Sequence, residues 1–251
     1  MQKKFVHLFL VLFLHSTSAF SKDYKFVGQT YEPFNWEQNG KVKGGMVEVV
    51  ISACLKMHVK CSFEILPMKR QMGMLEKGTV DGVLSLIKNS DRESYSTLSV
   101  TIIKSNICLH ARKGTFSKIV NATELNGTLI GATSTSSAAK IAEQIKASGK
   151  NIYIEYEVGL ETIIKKLSAG RYGDRGLGIA NEDVAASFMK GEKIKNVTSV
   201  YVAETGHFGV LFSKKNVDEK FIEKFNKTVV LMKKSGEVAK LLKPYGLQID
   251  L

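Results

Sequence analysis

From Tyr24 to its end the chain alternates short apolar strands with amphipathic helices, and that alternation confines it to an α/β architecture. Residues 24–30 read as a strand, with Tyr24 and Phe26 on one face. Met46, Val50, Cys54 and Met57 recur at helical spacing and predict a helix over 46–57. Cys61, Phe63 and Ile65 alternate with Ser62 and Glu64, the pattern of a half-buried strand. A helix over 69–77 stops at Gly78, and strands follow at 80–87 and 106–110. After a turn-rich stretch, 112–127, the alternation restarts. It predicts strand 128–132, helix 136–147, strand 152–156, helix 160–168, strand 177–180 and helix 182–190. Two strands near 197–202 and 207–213 come next. A long helix over 217–234, with Phe221, Phe225, Val229 and Met232 on one face, and a short helix before Pro244 close the chain. The expectation is two α/β blocks and a helical tail.

The first nineteen residues have a different character. Lys3 and Lys4 precede a stretch from Phe5 to Leu14 that is apolar except for His7, and Thr17, Ser18 and Ala19 supply small residues. That is the pattern of a cleaved secretory signal peptide over 1–19. The apolar run is too short for a bilayer core of about 30 Å, which needs about 20 residues. The mature chain is expected to start near Phe20, exported and soluble. No Cys follows the leader to carry a lipid.

A composition of 44% hydrophobic and 24% charged residues with only three prolines suits a globular chain without long linkers. The net charge is +12, or +10 once Lys3 and Lys4 leave with the leader. Nucleic-acid binding would need the lysines clustered and interleaved with aromatics. Here they scatter, with doublets only at 165–166, 214–215 and 233–234. No nucleic acid is expected; the surplus favours an anionic small molecule or membrane surface.

Three cysteines remain, Cys54, Cys61 and Cys108. Cys54 falls late in a predicted helix and Cys61 opens the next strand, a return short enough for a disulfide in an oxidising compartment. Cys108 would stay buried in a strand. Two free thiols are the first alternative. Zinc is the second, because Cys54 and His58 share a helix face, but a structural zinc takes four ligands and no fourth is in view.

The stretch from Tyr31 to Glu93 carries an ordered set of elements: Tyr31-Glu32-Pro33-Phe34, Gly44-Gly45-Met46, Pro67-Met68-Lys69-Arg70, Gly78-Thr79-Val80-Asp81-Gly82 and Asp91-Arg92-Glu93. Leu125-Asn126-Gly127-Thr128 follows later. This set resembles the family 3 extracellular solute-binding proteins, periplasmic receptors that feed amino-acid ABC transporters. The resemblance implies a type II-like periplasmic binding fold of two lobes with a cleft between them and two hinge crossings. Lobe one would be 20–109 plus 206–251, discontinuous, and lobe two 110–205. Ligand capture would close the lobes about the hinge. The implied partners are a small-molecule ligand, anionic or zwitterionic and amino-acid-like, and an ABC permease in the inner membrane. The chain is expected to act as a monomer in a bacterial periplasm, without cofactor or metal.

The resemblance also points to ligand residues. In these receptors an arginine after the strand that follows the Val-Asp element clamps the ligand carboxylate, a task its planar fork suits. Arg92 stands there, although the usual Thr-Pro-Glu-Arg wording is absent and the segment is about one residue short. Its alternative is a surface arginine paired with Asp91 or Glu93. Arg70 lies just past a strand end, where α/β sheets place ligands; a solvated helix-start arginine is the other reading. Tyr31, Phe34 and Trp36 follow the first strand and could stack on a ligand, Tyr31 the foremost of them; core packing is the equal alternative for Phe34. Thr133, Ser134 and Thr135 join a strand to a helix start, where backbone N–H groups and hydroxyls make an anion site or simply cap the helix. Asp183 occupies the place of the acidic residue that pairs with the ligand amino group, or else caps its own helix.

Two rival functions stand beside the receptor. A dehydratase-type enzyme on the same scaffold would need a cleft carboxylate of raised pKa, and Glu32 and Glu48 are the conceivable ones. No Gly-x-Ser-x-Gly elbow, His-Glu-x-x-His or Walker loop is present. A ligand sensor reporting to a membrane partner is the other.

Overall fold

Each α/β unit begins with a strand whose carboxyl end opens into a loop and a helix start. The computed structural model describes residues 22–116, 119, 122–134 and 136–251, so the expected leader and Thr135 lie outside the described residues. The first block comprises β1 (Asp23–Gly28), the hairpin β2 (Trp36–Gln38) and β3 (Lys41–Lys43), α1 (Gly45–Met57), β4 (Lys60–Ile65), α2 (Met68–Lys77), β5 (Gly82–Leu86) and β6 (Ser96–Leu98). β7 (Ile103–Arg112) leads to β8 (Leu129–Thr133), α3 (Ser137–Ser148), β9 (Tyr153–Glu157), α4 (Leu160–Ser168), β10 (Gly176–Asn181) and α5 (Glu182–Gly191). β11 (Val197–Ser213) returns, and α6 (Glu219–Lys234), α7 (Glu237–Leu242) and β12 (Gln248–Ile249) finish the chain.

The main sheet runs β4-β1-β5-β11-β7-β10-β8-β9, with β6 added to β11 and β12 to β7. β4, β1 and β5 are mutually parallel, as are β10, β8 and β9. Between these two parallel blocks the antiparallel pair β11–β7 carries the chain across and back. α6 and α7 pack on α1, so the C-terminal helices return to the first block. The expected lobe boundaries, near 109/110 and 205/206, fall inside β7 and β11.

Local chemistry explains the helix limits. α1 buries Met46, Val50, Ala53, Cys54 and Met57 and ends where His58 turns left-handed at φ 57°. Ser136, Asn181 and Asp218 each accept a hydrogen bond from a backbone N–H in the first turn of α3, α5 and α6. In the first block Phe212 meets Phe225 edge-on at 5.1 Å, and Tyr24 stacks on Phe221 at 3.8 Å. Asp81, from the Val-Asp-Gly element, is buried. It accepts from the Lys25 N–H (2.8 Å) and Asn216 Nδ2 (2.9 Å) and pairs with Lys22 (2.7 Å), tying the start of β1 to the end of β11.

One expectation fails here. The two strands predicted near 197–202 and 207–213 are a single strand, β11. Glu204, Thr205 and Gly206, in the gap between the two expected strands, pair with Ile107, Asn106 and Ser105 of β7. Register shifts at Ser199/Tyr201 and Val202/Glu204 absorb the irregularity as bulges. A Cβ at Gly206 would lie 2.9 Å from the Ser105 carbonyl oxygen, so the glycine lets the strands approach.

Cys54 and Cys61 form a disulfide, with Cα atoms 6.3 Å apart, and Cys108 is a buried free thiol in β7. The bond leaves His58 no thiolate to share, which removes the zinc and free-thiol alternatives. Mass mapping without reduction is expected to return the 54–61 cross-link with Cys108 alkylatable only after unfolding. Reduction is expected to cost about 2–3 kcal/mol, as the chain-entropy account gives for so short a loop.

His110 lies in β7 at 1% exposure, and burial lowers its pKa from 6.5 to about 4, against the Ala180 backbone and the Glu182 charge, which raise it. Between those values the unfolded chain binds the proton and the folded chain does not. Stability contributed by neutral His110 is therefore full above about pH 6.5 and lost as pH falls toward 4, at up to about 1.4 kcal/mol per pH unit. Denaturant melts of the wild type and His110→Asn are expected to differ in slope across that window and to run parallel above it.

Candidate functional site

All six parallel strands aim their carboxyl ends at one cavity of about 720 Å3. Residues 29–32 follow β1, 65–69 follow β4, and 85–87 close β5. On the opposite wall stand 133–134 after β8, 158–162 after β9 and 179–181 at the end of β10. α2, α3, α4 and α5 start at this cavity, so their free N–H groups and positive dipole ends face it. Ligands of open α/β sheets bind at such strand ends, and the volume falls in the range of roughly 300–1,000 Å3 common for small-molecule sites.

The expected residues divide. Tyr31 lines the cavity, its ring 5.2 Å from Phe34 and 6.4 Å from Phe208. Burial, and then the charge of Asp183, push its phenol well above 10. Phe34 is fully buried core, as its alternative had it. Thr133 and Ser134 line the opposite wall, and the Ser134 N–H donates to the Glu157 carbonyl at 3.0 Å. Asp183, in the first turn of α5, accepts from Ser105 Oγ at 2.5 Å; burial raises its carboxyl despite that bond. Its side chain is not part of the cavity lining, although its charge reaches Tyr31.

The two arginines take other positions. Arg70 is exposed on the first turn of α2, and its charge helps lower the Glu64 carboxyl after the hydrogen bond from Lys25. Arg92 is only 5% exposed, in a 3-10 turn spanning Ser90–Arg92, so the surface alternative does not hold. Burial lowers its pKa, with Tyr95 and Asp91 acting the other way. Neither arginine lines the cavity. Of the enzyme candidates, Glu32 is exposed at the cavity, and Glu48 on α1 accepts from the Tyr245 hydroxyl at 3.4 Å outside it.

Three features escaped the sequence. Ser85 lies at φ 57° inside β5, a conformation costly for a non-glycine residue, and it lines the cavity. Fully buried Asn35 holds it there: Asn35 Oδ1 accepts from Ser85 Oγ while its Nδ2 donates to the Gln29 carbonyl at 2.6 Å. One amide thus ties the loop after β1 to the end of β5. Lys140 of α3 reaches across the cleft mouth to Asn89 Oδ1 (3.3 Å), Ser90 Oγ (2.9 Å) and Asp91 Oδ1 (3.3 Å). A smaller hollow of about 370 Å3 beside it is lined by Asp91, Ser134 and Tyr156. Residues 158–162 complete the second wall. Taking the loop after every parallel strand would have found these residues, but no local motif marks them.

Two α/β blocks joined by two crossing strands, with a small-molecule cavity between their strand ends, define the two-lobed periplasmic binding class of fold. The chain belongs to the bacterial extracellular solute-binding proteins, family 3, which match it over residues 26–248. It is 27% identical over 220 residues to the probable amino-acid-binding protein YxeM of Bacillus subtilis (strain 168), covering 87% of this chain and 81% of that one. Among solved structures it resembles a histidine kinase sensor domain with similarity to periplasmic binding proteins, with a TM-score of 0.80 at 14% identity, over 92% of this chain and 99% of that one. The substrate-binding protein of an amino acid ABC transporter matches with a TM-score of 0.73 at 19% identity, over 89% and 99% of the two chains.

Replacing Asn35 by Ala leaves the Gln29 carbonyl and the Ser85 hydroxyl without this partner. Chemical denaturation of Asn35→Ala is expected to show a loss of about 2–4 kcal/mol, two buried hydrogen bonds at about 1–2 kcal/mol each.

Proposed function

We propose that the chain is a periplasmic solute-binding receptor that captures a zwitterionic, amino-acid-like ligand by closing two lobes and delivers it to an ABC importer. The observation that carries this reading is the convergence of six strand ends and four helix starts on one cavity, whose lining combines hydroxyl and amide groups with aliphatic and aromatic side chains. The amino-acid-binding relative in Bacillus subtilis supports the ligand class. Thr133 and Ser134, with the α3 start, would receive the ligand carboxylate. Tyr31 and the charge of Asp183 would favour its ammonium group. Arg92 would hold the turn that carries Asp91, and Arg70 would remain at the surface.

Lobe one, in this reading, is 20–109 plus 206–251 and lobe two 110–205, with β7 and β11 as the hinge and Lys140 as a contact made on closing. A sensor would use the same capture step with a different membrane partner. An enzyme would instead consume the ligand.

A thermal-shift screen of the mature chain against the standard amino acids and small organic acids tests the proposal. A ligand at 100 times its Kd adds about 2.7 kcal/mol to the folded state, which for a chain of this size raises Tm by several degrees, about 2–4 °C per kcal/mol. The expected result is a shift with an amino acid recovered unchanged after incubation. A shift accompanied by turnover would replace the receptor with an enzyme. No shift with any amino acid would overturn the ligand class.

A further inference from the structure

The cavity walls differ in chemistry from the polar groups that would hold an amino acid's head. Among the described residues three charged ones line the cavity, Glu32, Lys69 and Glu161, and all three are exposed. The remaining lining residues carry no charge. Leu66, Met68 and Ile87 stand on the first wall, Val158, Leu160 and Phe188 on the second. Val158 is 92% exposed, an apolar side chain held open to solvent immediately after a strand that ends on buried Glu157. Of the carboxylates beside the cavity, half-buried Asp183 is already engaged by Ser105, and buried Glu157, next to Val158, by Lys166 and Tyr172.

We infer that the receptor selects amino acids with an apolar side chain, branched aliphatic or aromatic, over those with a charged one; this rests on the receptor reading above. A guanidinium or carboxylate placed between these walls would leave water with only the exposed, solvent-screened charges of Glu32, Lys69 and Glu161 as partners in the described lining, which is costly. An aliphatic or aromatic group placed there removes its own surface and that of Val158 and Met68 from water as the walls approach. Selectivity by size follows as well, since one methylene in an apolar pocket changes affinity by about 10-fold or more.

Isothermal titration of the mature chain with alanine, valine, leucine, phenylalanine, arginine and glutamate tests this. Affinity is expected to climb from alanine through valine to leucine or phenylalanine. Leucine or phenylalanine is expected to bind at least about 10-fold tighter than arginine and glutamate. In Val158→Asp, whose exposed position leaves folding intact by thermal melt, leucine and phenylalanine are expected to weaken about 10-fold or more while arginine does not weaken. Arginine or glutamate binding tighter than leucine and phenylalanine overturns the inference and leaves the receptor standing. Equal weakening of all ligands in Val158→Asp also overturns it, because Val158 would then shape the cleft without choosing the side chain. Failure of every amino acid to bind the wild type overturns the receptor reading and this inference together.

Discussion

The antiparallel ladder between β7 and β11 is the constraint on which the rest depends. It runs from Ile103 opposite Phe208 to Arg112 opposite Val197, and both parallel blocks hang from it, β5 on the outer side of β11 and β10 on the outer side of β7. β7 is flanked by β11 on one side and by β10 and β12 on the other, whereas β11 pairs with β7 over 197–208 and passes to β5 and β6 over 209–213, with the Ile119, Ser99 and Ile102 N–H groups donating to its carbonyls. The bulges in β11 strengthen the local twist and so set how one block is turned against the other. The cavity follows from that angle, because the parallel strands on both sides end toward it.

A polar network sits where the ladder crosses between blocks. Asn181 donates to Ser105, Ser105 to Asp183, Thr205 to Asn106, and Asn106 to Glu182. Buried polar groups are tolerable when each finds a partner, and here the partners come from β7, β10, β11 and α5 together. The network fixes the α5 start beside the crossing strands and brings the Asp183 charge within reach of Tyr31 on the other wall. A change at the crossing is thus coupled to the cavity floor through charge and packing.

Much of this was legible in the residues. Helices α1, α3 and α6 follow from apolar spacing with a capping Ser or Asp, or a left-handed end, and the strand around Phe63 from plain alternation. These signals are local, and local physics decides them. β11 was read as two strands because no local pattern carries it through 203–206, while its pairing with β7 comes from residues about a hundred positions earlier. The same holds for the site. Tyr31, Thr133 and Ser134 sit on strand-end loops that any α/β reading singles out. Asn35 and Ser85 lie fifty residues apart and become partners only when β1 and β5 pair. Arg92 has a surface-like neighbourhood in sequence, Asp91 and Glu93, yet the turn carries it inward against Tyr95.

Lys140 bridges the two cavity walls from α3 to the turn at Ser90–Arg92. Its bonds to Asn89, Ser90 and Asp91 join the two walls, but the Asp91 and Lys140 side chains are 72% and 42% exposed. Exposed pairs contribute about 0.2–1 kcal/mol, less in salt. In the proposed receptor such a contact would bias the closed arrangement without locking it. Apolar surface covered inside the cavity contributes about 25 cal/mol per Å2, so a ligand that covers even part of Val158, Met68 and Phe188 outweighs the bridge at the rim. In the proposed receptor the charged pair would set where the walls meet, and the filling of the cavity would decide whether they stay together.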